Sequence, residues 1–124
     1  TPCGTLFPYT TLFRSVGLVM YEQGKAENAL DQWRAALEIA PEEPEPKLAI
    51  AVVQYEQESC AGTAPLQTSS LCREALSLGI EALEQDSRYA EIEFLEENLW
   101  GIRLIDSTNE FFAVPDIQAL LAEL

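Results

Sequence analysis

Apolar residues recur at helical spacing from Val16 onward. Val16, Val19 and Met20 mark one stripe, Ala29, Leu30, Trp33, Ala36, Leu37 and Ala40 mark a second, and Gly24 separates them. This spacing predicts two helices joined at a glycine, each too short to be stable alone in water and so obliged to pack on the other. Pro41 ends the second helix, because a proline ring is poorly accommodated inside one. A further helix is expected from about Pro46 to Glu58, and another along CREALSLGIEALEQD, where Ala75, Gly79, Ala82 and Leu83 hold the inward positions. Between them, Ser59 to Ser70 carries Gly62, Pro65 and several Ser and Thr, and reads as loop. Tyr89 to Trp100 is expected as an amphipathic helix with Ile92, Leu95 and Leu99 on one face and Gly101 as its end. Ile102, Ile105 and Phe112 then fit one more helix, and Pro115 and Asp116 open a short terminal one, DIQALLAEL. The expected fold class is all-α, built of antiparallel helix pairs.

Residues 1–15, TPCGTLFPYTTLFRS, differ in character from the rest of the chain, with no acidic residue, Thr alternating with apolar positions, two prolines and a single basic residue, Arg14. They read as an extended or disordered arm. Thr5 to Ser15 also looks like the in-frame translation of a common short-read sequencing adapter. On that resemblance the arm is non-native, and the helical domain is expected to occupy residues 16–124.

Within that domain, YEQGKAENALDQWRAALEIAP resembles the tetratricopeptide repeat, a helix-turn-helix unit of about 34 residues. The family's small residue in the first helix falls on Gly17, its aromatic neighbourhood on Met20 and Tyr21, and its turn glycine on Gly24. In the second helix the small residue falls on Ala29 and the bulky aromatic on Trp33, Ala36 and Leu37 follow, and Pro41 closes the unit. The fourth-position aromatic would be Phe13, inside the arm. The resemblance implies units at about 10–43, 44–89 with an inserted loop at 59–70, and 90–124, the last a divergent pair with a terminal helix capping a solenoid. Gly79 departs from the family's aromatic and is expected to leave a looser contact, or room for a side chain from elsewhere.

The resemblance also implies a function. Such domains stack helix pairs into a superhelix and hold a peptide on the concave side, lined by the first helix of each pair. Carried onto this chain, the lining residues are Leu18, Tyr21 and Glu22, then Glu45, Leu48, Val52, Tyr55 and Glu56, and then Glu91, Phe94 and Asn98. The expected groove is apolar and aromatic in the middle with a carboxylate rim. Its expected partner is another protein, through an apolar segment carrying Lys or Arg. Leu48 and Val52 stand where the family's chaperone-tail receptors need polar or basic groups, which argues against that subset. One alternative is that Tyr21 and Tyr55 pack between helices while the terminal helix, with Leu120, Leu121 and Leu124, fills the groove itself. Another is a C-terminal fragment of a longer array, or a regulatory module fused to a catalytic domain.

Composition narrows the function classes. The chain has 124 residues with 21 acidic and 7 basic side chains, no histidine and a net charge of -14. Binding to a phosphate backbone or an anionic membrane is repulsive at that charge, so neither nucleic acid nor membrane is an expected partner. Lacking histidine, the chain also lacks the side chain most triads and zinc sites use, so no catalytic residue, metal or cofactor is expected. GKAE at Gly24 lacks the rest of a phosphate loop. The acidic clusters Glu42, Glu43 and Glu45, and Glu91, Glu93, Glu96 and Glu97, are expected to be solvated. Trp33 and Trp100 are expected in the core, with an exposed interface anchor as the other reading of Trp100. Cys60 and Cys72 bracket the inserted loop, either as a disulfide in an exported protein or as two reduced thiols. A cytoplasmic location is expected, with export left open because the native N-terminus would be missing on the adapter resemblance. Oligomeric state is not legible.

Overall fold

A computed structural model describes the backbone of residues 2–60 and 69–124, and side chains from residue 9 onward within those spans. The described residues form helices and turns with no strand: α1 Pro2–Glu22, α2 Ala26–Ile39, α3 Pro44–Gln57, α4 Ser70–Gln85, a 3₁₀ turn Ser87–Ala90, α5 Ile92–Glu97, α6 Ile102–Phe112 and α7 Pro115–Leu121. The all-α expectation therefore holds. Residues 2–15 are not an extended arm; they continue α1 toward its N-terminus, with Thr10 buried and Arg14 paired to the third helix. Gly62 and Pro65 of the expected loop lie outside the described residues.

α1 packs on α2, α3 packs on α4, and α2 joins the pairs by packing on α3. Inside the first pair, Ala29, Leu30, Trp33 and Ala36 are buried as their spacing predicts. On α1 the buried positions are Thr10, Gly17, Leu18 and Tyr21, so the inward stripe is rotated from the one expected and Val19 is exposed. Gly17 is required by close approach: a Cβ there would lie 2.3 Å from Trp33 Nε1. α3 is buried from Glu45 to Val53, on every side.

The C-terminal third departs from the expected pattern. Tyr89 to Trp100 is a 3₁₀ turn followed by a six-residue helix, because Glu91 takes an extended backbone conformation that interrupts the run. Gly101 is not the end of that helix. It stands immediately before α6 in an extended conformation, at φ -80° and ψ 174°. α6 packs on α3 and α1, and α7 on α4 and α6, with Ile117 fully buried. Phe111 fills the space over Gly79, where a Cβ would lie 2.5 Å from its ring. The room expected at Gly79 is thus taken by a side chain of α6.

The helices α1, α3 and α5 end in the same way. At each, one residue in the left-handed region bonds back to the carbonyl three before it, and the next residue's N–H reaches the carbonyl five before: Gly24 and Lys25, Ser59 and Cys60, Leu99 and Trp100. This is a Schellman closure, which satisfies helix-end carbonyls and favours glycine at the left-handed position. Only the first has it.

Cys60, directly after the second closure, is disulfide-bonded to Cys72 in the first turn of α4, with Cα atoms 5.7 Å apart. The bridge ties the ends of the inserted segment together. Both cysteines are buried.

This packing sets the expected response to two changes. Gly17→Ala would gain about 1 kcal/mol of helix propensity at an exposed site, but beside Trp33 the overlap is expected to lower stability by about 1–3 kcal/mol net, read as a lower urea midpoint. Reduction of the bridge is expected to lower it by about 2–4 kcal/mol. Alkylation of the unfolded chain should then block one thiol before reduction and three after it.

Candidate functional site

Of the sequence-predicted groove residues, Tyr21 and Glu22 of α1 and Tyr55 and Glu56 of α3 are met by α6, while Glu91, Phe94 and Asn98 lie at α5. Glu22 accepts hydrogen bonds from the N–H groups of Arg103 and Leu104, both at 3.0 Å, so its carboxylate caps α6 where the helix dipole favours negative charge. Gly101 is needed next to it, since a Cβ there would meet the Glu22 carboxylate carbon at 2.3 Å. One turn further, Tyr21 donates to Glu56 at 2.9 Å and lies 2.8 Å from the Ser107 hydroxyl, which also donates to Glu56. Burial, followed by the carboxylates of Glu56 and Glu22, pushes the Tyr21 phenol up to about 12 against the opposing Ser107 hydrogen bond. Tyr55 stacks edge-on against Phe111 at 5.5 Å. Leu48 and Val52 are fully buried core residues. The covering element is α6 and not the terminal helix with Leu120, Leu121 and Leu124.

What stays open is the upper half of α1. A cleft of about 520 Å³ runs between it and the α5–α6 connection, within the usual range for ligand sites. Leu18, Val19 and Glu22 line one wall, Glu97, Asn98 and Leu99 the other, and Glu45 also lines it. Of the predicted residues, Leu18, Glu22, Glu45 and Asn98 reach this cleft. Asn98 donates to the Phe94 carbonyl at 2.8 Å and helps close α5. Phe94 stacks on Tyr89 at 5.0 Å beneath the Arg88 guanidinium, so its ring is engaged in packing. Tyr21 and Glu56 line a second, polar recess of about 390 Å³ with Arg103, Asp106 and Ser107. Val52, Tyr55 and Glu56 line a smaller one of about 110 Å³.

Contrary to expectation, the first acidic cluster is not wholly solvated. Glu45 is only 6% exposed, held by Arg14 at 3.1 Å and by the Trp100 indole N–H at 3.3 Å. Trp100 is buried, in agreement with the core reading. Burial raises the Glu45 pKa above the ordinary carboxylate value, partly offset by Arg14 and Trp100. Arg14 was the signal available in the sequence, as the only basic residue among the first 24. Glu91, Glu93, Glu96 and Glu97 are exposed, as expected.

Leu99 is the residue that the periodicity misassigned. It was expected on the inward face of a helix and is instead 79% exposed, at φ 70°. A left-handed conformation costs a side-chain-bearing residue about 1–2 kcal/mol. Ile102, at the start of α6, is 80% exposed and Val19 57%. Among the described residues no group of three or more His, Cys, Asp or Glu is placed to hold a metal ion, and no helix is long and apolar enough to cross a membrane.

Because the folded pKa of Glu45 lies above its unfolded value, the folded state holds this proton more tightly. Its contribution to stability is therefore present below the unfolded pKa and lost as the pH rises through the folded one. Lowering the pH from 7 toward 5 is expected to raise the urea midpoint, by less in Glu45→Gln than in the parent chain. Arg14→Ala removes the cation from a buried carboxylate and should cost about 1–3 kcal/mol at neutral pH. The chain matches no family model, no curated protein and no solved structure.

Proposed function

We propose that this chain is a protein-interaction module built of tetratricopeptide-like helix pairs, and that it takes an apolar, Lys- or Arg-bearing segment of a partner protein in the cleft between α1 and the α5–α6 connection. The observation that carries this reading is the composition of that cleft. Leu18, Val19 and Leu99 offer apolar contact area, and the carboxylates of Glu22, Glu45 and Glu97 outnumber the one cation in the lining, Arg14, which is paired to Glu45. Apolar anchors supply most of the affinity in such sites, while carboxylates select a cationic partner and speed its approach. The net charge of -14 extends the same preference over the whole surface. The repeated closures after α1, α3 and α5 support the helix-pair reading, since one turn geometry recurs at the end of each first helix.

A non-catalytic role fits the polar network. Ser107 is hydrogen-bonded to a carboxylate and a tyrosine, in a chain that has no histidine to relay its proton. The Cys60–Cys72 bridge supports an oxidising compartment over the cytoplasm, because buried disulfides of this kind form and persist there.

Calorimetric titration with two synthetic amphipathic peptides, one Leu/Lys and one Leu/Glu, tests the reading. The Leu/Lys peptide is expected to bind and the Leu/Glu peptide not. Val19→Asp should weaken the first at least tenfold, about 1.4 kcal/mol. Equal affinity of Val19→Asp and the parent chain would remove the cleft from consideration.

A further inference from the structure

Leu99 combines two properties that work against the fold. Its left-handed backbone, φ 70°, belongs to a closure that glycine fits best, as Gly24 does at the end of α1 with φ 83°. A leucine can offset such strain by burying its side chain, yet this one is 79% exposed. Nothing within the described chain compensates for leucine at this position, and strain of this kind concentrates where a residue serves a ligand.

The surroundings give the ligand its chemistry. Leu99 forms the outer wall of the 520 Å³ cleft, opposite Val19 and Leu18, with Glu97 two residues before it. Ile102, 80% exposed, follows three residues later. Leu99, Val19, Leu18 and Glu97 lie beyond residue 15, while Thr11, Arg14 and Ser15 complete the lining of the cleft.

We infer that Leu99 is a recognition anchor: the Schellman closure of α5 holds its side chain out so that an apolar residue of a cationic amphipathic peptide docks between Leu99 and Val19, with a Lys or Arg of that peptide facing Glu97. This rests on the interaction-module reading and names the residue through which it acts. The occupant is a basic segment of another protein and not a second copy of this chain, because two copies each carry a net charge of -14 and would bring like-charged walls together.

The test compares the parent chain with Leu99→Gly and Glu97→Gln. Thermal unfolding, titration with the Leu/Lys peptide and sedimentation are measured on each. Leu99→Gly relieves the left-handed strain, so its Tm is expected to equal or exceed the parent's while its affinity for the peptide falls at least tenfold. Glu97→Gln should weaken binding two- to fivefold and flatten its dependence on salt. A lower Tm in Leu99→Gly would make Leu99 a folding element and overturn the inference. Binding by the parent that persists undiminished in Leu99→Gly overturns this inference alone, whereas failure of the parent chain to bind overturns the interaction reading with it. A parent dimer that dissociates in Leu99→Gly would make a second copy the occupant and overturn the choice of partner.

Discussion

A helix buried on every side sets the terms for the rest of this molecule. α3 is enclosed from Glu45 to Val53, with α2, α4, α6 and the 3₁₀ turn packed on it. Two residues of that stretch carry charges, and a buried charge without a partner is among the most destabilising features a fold can hold. Each is met from a different direction. Glu45 is reached by Arg14 of α1 and Trp100 of the α5–α6 connection. Lys47 donates to Glu81 at 3.1 Å and Gln85 at 3.0 Å, both on α4. The central helix therefore cannot be enclosed by apolar contact alone. It is clamped by polar bonds to the elements before and after it in the chain.

The acidic excess makes those cations scarce. With seven basic residues against 21 acidic ones, a cation committed to the interior leaves the surface still more negative. Arg14 and Lys47 are directed inward, and Arg88 is bound to Asp86 of its own turn, whose pKa it holds below the ordinary carboxylate value. The carboxylates around the cleft are consequently balanced by little positive charge from the chain itself. Salt screens repulsion of this kind over roughly 10 Å at 0.1 M, so the compact state gains from added salt.

How much of this was legible in the sequence depends on how local each feature is. α2 could be placed almost residue by residue, because Ala29, Leu30, Trp33 and Ala36 repeat with a helical period and Gly24 and Pro41 bracket them. α3 and α4 were legible for the same reason, with the inserted segment between them. The C-terminal third departs from its periodicity where position depends on distant partners. Nothing near Leu104 announces that its N–H will meet a carboxylate 82 residues earlier, and Phe111 seeks a glycine on a helix two elements away. Local periodicity put Leu99 inward with Ile92 and Leu95, and a single left-handed residue turned it outward. Of the candidate groove residues, Tyr21, Glu22, Tyr55 and Glu56 are met by α6, and periodicity is silent on which later helix would lie over them.

The capping of α6 by Glu22 has a consequence for the cleft. The inner wall of the cleft is α1, and the outer wall is the connection that leads into α6, so one carboxylate spans the seam between them. α6 bonds to α1 through the Arg103 and Leu104 N–H groups and Ser107, and Leu104, Phe111 and Phe112 seat it in the core. The separation of the two walls is therefore set where the Glu22 carboxylate joins α1 to the start of α6.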